Sequence, residues 1–275
     1  RPEGVRRRRG SARRHVWYRA PVQDLSIPQA LVSSVAGARH VMVVTGAGMS
    51  AESGVPTFRD AQTGLWSRFR PEELATPEAF EADPDTVWAW YEWRRDLVAR
   101  AEPHAGHRAL AELAGLVPRL TLVTQNVDGL HERAGSRDVV EFHGNLFANR
   151  CFLAGHALRD VPRPCAKPPT CPTCGSLVRP GVVWFGEAIP ESALAQAAAS
   201  AGDCDVFLSV GTSSLVYPAA GLAHLARDAG AVTVEINPEP TEFAGVATHA
   251  LAAPAGRALP ALLASVQQAL ASGRA

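Results

Sequence analysis

Apolar positions along the chain fall into two spacings. Runs of five or six nearly continuous apolar residues occur at 41–45 (VMVVT), 120–124 (LTLVT), 138–142 (DVVEF), 205–210 (DVFLSV) and 231–236 (AVTVEI). Runs of that length, rich in β-branched residues, suit strands buried on both faces. Between them, Ala- and Leu-rich stretches near 28–37, 105–116, 191–201 and 217–229 repeat at helical spacing. Strand and helix in alternation predict an α/β fold with a doubly wound parallel sheet. The strands end in polar or glycine clusters: GAG, TQNVD, HGN, GTSS and INPE. Ligands in such sheets bind beyond the carboxyl ends of the strands, so these clusters predict one shared cleft. Leu259, Leu262, Leu263, Val266 and Leu270 predict a core-packing helix at the end of the chain, with no functional role.

Two segments break the alternation. Residues 75–103 form a Trp-rich helical excursion, and residues 146–180 are rich in Pro and Cys. Both read as insertions that build a smaller second domain. The larger domain then takes 25–74, 104–145 and 181–275. Within the smaller one, 86–100 is helical in pattern, with Asp85 placed to cap it.

Composition adds three constraints. The 275 residues are 47% hydrophobic, enough for a sizeable core, and no apolar run approaches the ~20 residues that span a bilayer. The formal charge is zero, yet residues 1–20 hold eight arginines against Glu3, a local +7. Residues 1–24 therefore read as a basic, disordered tail. It has no apolar signal-peptide core, and it is either an inert extension or a weak nucleic-acid contact; the inert reading is preferred. Four of the five cysteines cluster at 151, 165, 171 and 174, which suits metal binding in a reducing compartment and predicts a cytoplasmic protein.

The run GAGMSAESGVPTFRD (46–60) follows the first strand. Gly46, Gly48 and Ala51 have the spacing of a dinucleotide-binding turn: a sharp turn, a close approach to a pyrophosphate and tight helix packing. A plain tight turn would look the same. No acidic strand end lies about 20 residues on, which argues against an ordinary dehydrogenase. Gln125, Asn126 and Asp128 carry groups suited to ribose hydroxyls, a carboxamide or a developing positive charge, although an Asx turn before Gly129 would also use them. His143 is suited to proton abstraction near neutral pH, or to capping a strand end. Gly144 would keep the backbone slim beside a substrate.

Taken together and in order, GAGMSAESGVPTFRD, TQNVDGLHERAG, EFHGN, VVWFGE, GTSSLVYPAA and EIN resemble the sirtuins, most nearly the bacterial class III type. The resemblance covers the chain from about residue 40 to its end. It implies a Rossmann-type NAD domain with a smaller inserted zinc and helical domain. It also implies NAD-dependent removal of acetyl, succinyl and malonyl groups from protein lysines, giving nicotinamide and O-acyl-ADP-ribose. Mono-ADP-ribosyl transfer and an NAD-sensing, nucleic-acid-associated module stay open as alternatives.

By that resemblance His143, Asn126 and Asp128 serve catalysis. NAD is held by Gly46, Ala47, Gly48, Ser50, Glu52, Phe58, Arg59, Trp66, Gln125, Asn126, Asp128, Gly211, Thr212, Ser213, Asn237, Pro238, Glu239 and Ala255. Phe58 would shield the reactive ribose, and Arg59 would face the phosphates. Val183 and Phe185 would flank an acyl-lysine whose peptide pairs with VVWFGE. Tyr91 and Arg94, three apart on one helix face, match a Y-x-x-R pair for an acidic acyl group, with Ala61 leaving room. The competing reading makes Arg94 and Arg95 a solvated face.

Cys171-Pro-Thr-Cys174 is half of a zinc knuckle. Ala154 stands where the partner of Cys151 would fall. Cys165 is the first choice for a fourth ligand, His156 the second and an incomplete site the third. His104 and His107 read as a structural cap rather than a metal pair, and Cys204 as core.

Overall fold

The computed structural model describes residues 25–55, 70–158, 161–213 and 218–273. Nine strands are present among them: β1 (His40–Thr45), β2 (Arg119–Thr124), β3 (Val140–Glu141), β4 (Gly144–Cys151), β5 (Ala157–Leu158), β6 (Val178–Val182), β7 (Val206–Val210), β8 (Val232–Ile236) and β9 (His249–Leu251). The helices are α1 (Gln29–Ala36), α2 (Ala47–Ser50), α3 (Pro71–Leu74), α4 (Pro77–Ala82), α5 (Pro84–Ala99), α6 (Ala105–Leu113), α7 (Leu130–Arg133), α8 (Glu191–Asp203), α9 (Ala219–Asp228) and α10 (Ala255–Ala271). None is long and apolar enough to cross a membrane.

Six strands form one sheet in the order β3-β2-β1-β7-β8-β9, and every pairing in it is parallel. Its central strands are apolar on both faces, as their sequences require. Val41 and Val43 pack with α1, α6 and α10 on one side, while Met42 and Val44 face α8 and α9 on the other. Strand order reverses between β1 and β7, which opens a crevice beyond their ends.

β4, β5 and β6 form a separate antiparallel sheet within the Pro- and Cys-rich segment, whose sequence shows little periodicity. The signal was weak because each strand is short or interrupted: β5 has two residues, and the β4–β6 register shifts between Gly144 and Asn149. α4 and α5 pack on this sheet through Phe80, Val87, Trp90 and Tyr91 against Leu146, Val182 and Trp184.

Two local expectations are corrected. α5 begins at Pro84, so its cap is Asp83, which accepts from the Thr86 amide at 3.0 Å; Asp85 already lies in the first turn. Arg95 is not solvated. It is 0% exposed, and its guanidinium donates to Leu146 O, Ala148 O and Asn149 Oδ1 on β4 and to Glu92.

Candidate active site

The glycine turn after β1 meets the turn after β7. Gly46 N donates to Val210 O at 3.0 Å and Gly48 N to Gly211 O at 2.9 Å. A Cβ on Gly48 would lie 2.8 Å from Gly211 Cα. The turn is glycine-rich because two backbones touch at the switch point. The Gly48 amide is therefore spent inside the protein, not held open for a pyrophosphate. Ala51 is exposed in a short 3-10 turn. Glu52 accepts from the Gly256 amide at 2.6 Å, tying this turn to the first residues of α10 beside Ala255.

β2 delivers Gln125, Asn126 and Asp128 to the same crevice. Gln125 N donates to Thr45 O at 2.9 Å. Asn126 Nδ2 donates to Gly46 O at 2.9 Å and Ser50 Oγ at 3.1 Å. Asp128 is 5% exposed; it accepts from Ser50 Oγ at 2.7 Å and from the Leu130 amide at 3.0 Å. Burial raises its pKa, and the bonds from Leu130 and Ser50 oppose that rise. Beyond β7, Thr212 Oγ1 pairs with Ser209 Oγ at 3.0 Å, and Asn237 Nδ2 donates to Thr212 O at 3.0 Å. Ser213 is half-buried beside them, while Pro238 and Glu239 are exposed. A small cavity reaches from Gln125 and Thr212 down to Val44, Phe207 and Ala220.

His143 follows β3 and is half-buried. Its Nδ1 lies 3.0 Å from Gln125 O. A carbonyl can only accept, so Nδ1 carries the proton and Nε2 carries the lone pair. Burial lowers the pKa of the ring, against the raising effect of the Gln125 bond. The ring is thus a neutral base with a fixed tautomer. Gly144 has φ +76°, and a Cβ there would meet Gly181 O at 2.1 Å. The glycine is required by the close crossing of β4 and β6.

Val183 N donates to His143 O at 2.8 Å, and Phe185 N to Ala75 O at 2.9 Å. Val183 is half-buried, Trp184 is 2% exposed and Phe185 is 50% exposed. The segment is extended only to Val183, and it turns at Phe185 and Gly186. Tyr91 is buried, and its hydroxyl accepts from Trp184 Nε1 at 2.8 Å. Burial pushes its phenol up to about 12. Arg94 is half-buried, with its guanidinium 4.9 Å from the centre of the Trp90 ring. Phe58, Arg59, Ala61 and Trp66 lie outside the described residues.

The metal-ligand set needs one correction. Cys151, His156, Cys171 and Cys174 bring their ligand atoms within 4.8 Å of one another. Cys165 stands apart, with its thiol on Lys167 O at 2.9 Å. The tight turn between β4 and β5 explains the exchange: Cys151 N donates to His156 O at 2.8 Å, which folds the imidazole back over the thiols. Cys151 and Cys174 are 3.3 Å apart, and Cys171 Sγ is 3.6 Å from His156 Nδ1. These spacings are close to the edges of a tetrahedron with Zn–S ~2.3 Å and Zn–N ~2.0 Å. Three thiols and one imidazole fit zinc, closed as in a structural site.

Several functional-looking residues gave no usable sequence signal. Arg179, 2% exposed, and Arg150 both grip Glu187. His104, His107 and His131 form a chain of edge-on and tilted ring contacts, with ring centres 4.3 and 4.9 Å apart. His104 caps α6 through Gly106 N as expected, and His131 Nε2 lies 2.9 Å from Thr45 Oγ1. His131 stood inside the TQNVDGLHERAG motif, but neither its partner nor its ring contacts could be read there.

Residues 46–218 match the model of the Sir2 family. The NAD-dependent protein deacylase 1 of Pseudomonas aeruginosa is 53% identical over 243 residues, 86% of this chain and 97% of that protein. A crystal structure of a Sir2 homologue in complex with NAD superposes with a TM-score of 0.83 at 44% identity, over 89% of this chain and 96% of that one. A mutant Sir2 homologue bound to 2′-O-acetyl-ADP-ribose gives 0.81 at 44% identity, over 89% and 98%. The chain belongs to the Sir2 family.

Proposed function

We infer that this chain is an NAD-dependent protein deacylase that removes acyl groups from lysine side chains and forms O-acyl-ADP-ribose. We further propose that it accepts acidic acyl groups as well as acetyl. The observation that carries the chemistry is the tautomer of His143, with Nδ1–H on Gln125 O and the Nε2 lone pair left as base.

NAD, when bound, supplies the ribose carbon that takes the acyl oxygen and releases nicotinamide. His143 Nε2 withdraws a proton from a ribose hydroxyl, and the imidazolium so formed already has a partner for Nδ1 in the Gln125 carbonyl. Ser50, whose hydroxyl accepts from Asn126, donates to the Asp128 carboxylate at the floor of the crevice. Asn126, Asp128, Thr212, Ser213 and Asn237 would hold the NAD groups, and Val183 and Phe185 would line the peptide side. The domain division at 75–103 and 146–180 would set this cleft between the two sheets. The Cys3His cluster would bind zinc and hold the small sheet, and its free thiols suit the reducing, cytoplasmic setting expected from the sequence.

Support for the acidic-acyl reading comes from Tyr91 and Arg94. They lie one turn apart on α5, and Tyr91 touches the residue between Val183 and Phe185. A charge-assisted hydrogen bond to a carboxylate is worth about 1.5–3 kcal/mol. Arg94→Met should therefore lower the succinyl-to-acetyl ratio of kcat/KM about 10- to 150-fold. Mass spectrometry on matched acetyl- and succinyl-peptides with NAD tests both proposals. An unchanged ratio would remove the role of Arg94. ADP-ribose appearing on protein in place of O-acyl-ADP-ribose would favour the transferase alternative.

A further inference from the structure

We propose that Trp184 is a specificity-determining positioning residue, whose indole N–H orients the Tyr91 hydroxyl toward an acidic acyl group. The inference rests on the reading of Tyr91 and Arg94 given above.

Trp184 Nε1 donates to Tyr91 Oη at 2.8 Å inside a buried aromatic cluster. The phenol oxygen thereby spends a lone pair, and its own proton must point to another acceptor. Tyr91 then meets a carboxylate as a donor rather than as a repelling lone pair. Desolvation keeps that phenol protonated.

The tryptophan is itself immobilised from several directions. Its backbone amide donates to Glu187 Oε2 at 2.7 Å, and the same carboxylate oxygen takes Arg179 at 3.0 Å and Arg150 at 2.9 Å. The Arg179 guanidinium lies 3.2 Å from the Trp184 ring centre, and Phe80 packs beside it with ring centres 5.4 Å apart. Both arginines also hold Val182 O, at 2.8 and 3.3 Å.

Burial alternates along the segment that leaves β6: Val183 is half-buried and Phe185 exposed, while Trp184 between them points inward. One segment therefore fixes both the register of the substrate peptide and the direction of the hydroxyl at the end of the acyl group. Phenylalanine in place of Trp184 keeps one aromatic ring in the cluster, lacks the N–H and leaves part of the indole volume empty. Overall folding needs the ring, and acyl choice needs the nitrogen.

The test compares three proteins on acetyl- and succinyl-peptides at saturating NAD: the native chain, Tyr91→Phe and Trp184→Phe. Replacing Trp184 by 3-benzothienylalanine adds an isosteric variant, with sulfur in place of N–H, in case the phenylalanine form folds poorly. A neutral hydrogen bond lost from a buried pair corresponds to a change of about 3- to 10-fold. Both Trp184 variants should lower the succinyl-to-acetyl ratio of kcat/KM by that factor, with kcat and KM for succinyl-peptide carrying the change. If Tyr91→Phe leaves the ratio unchanged, the acidic-acyl reading falls, and Trp184 with it. If Tyr91→Phe lowers the ratio while both Trp184 variants leave it unchanged, the Trp184 assignment alone is overturned.

Discussion

Arg95 lets packing be tested apart from catalysis. Its guanidinium spends its donors on four acceptors: Leu146 O at 2.6 Å, Glu92 Oε1 at 2.7 Å, Asn149 Oδ1 at 2.9 Å and Ala148 O at 3.1 Å. It also lies 5.2 Å from the Trp88 ring centre. These bonds fasten α5, which carries Tyr91, to β4, which follows His143. Arg95→Met keeps much of the volume but strands three acceptors of β4 and leaves Glu92 with Arg163 alone. Removing one partner of a buried charge pair costs about 3–5 kcal/mol. For a chain of this size 1 kcal/mol shifts Tm by about 2–4 °C, so Tm should fall about 6–20 °C. Arg95→Lys keeps the charge but offers a single point in place of a planar fork, and should fall between. Urea unfolding at constant m-value and calorimetry would read the loss. A change below about 1 kcal/mol would refute the claim that this guanidinium joins helix to sheet.

Three other predictions concern protons and metal. Burial depresses His107 to about 2 and His131 to about 4, whereas an unfolded histidine titrates near 6.5. Below 6.5 the unfolded chain binds protons that the folded chain refuses, so stability is complete above 6.5 and falls as pH drops toward 4. Two such rings give up to about 3 kcal/mol per pH unit, read as the urea midpoint against pH; a flat profile from 6.5 to 5 would contradict it. Because burial also lowers His143, the acid limb of kcat/KM should lie below the ordinary histidine value, and a limb above 6.5 would count against the neutral base. His156→Ala should lose zinc by elemental analysis while Cys165→Ser keeps it, and the reverse pattern would restore Cys165 as the ligand.

What the sequence disclosed follows from the range of each interaction. The parallel strands were legible because burial on both faces leaves uninterrupted apolar runs, as in 41–45 and 206–210. His143, Gln125 and Asn126 were legible because motif order carries the topology that gathers them. The glycines were legible, but one of their contacts was not: Gly48 meets Gly211, 163 residues away, and no local spacing reveals that. Arg95 looked like a surface residue because its acceptors are backbone carbonyls, which have no sequence signature. The fourth metal ligand was misjudged for a similar reason. Counting cysteines favoured Cys165, whereas the short β4–β5 connection brings His156 back over the thiols. The Arg179–Glu187 grip pairs strand and turn across a bend that the apolar pattern of VVWFGE hides.

The central claim is that His143 Nε2 withdraws the proton that commits the ribose to the acyl group. Single-turnover formation of O-acyl-ADP-ribose by His143→Gln, with acetyl-peptide and saturating NAD, tests it most directly. A positioned general base contributes about 10²- to 10⁴-fold, so the rate should fall by that much while the protein stays folded. A rate within about tenfold of the native chain would place the base elsewhere.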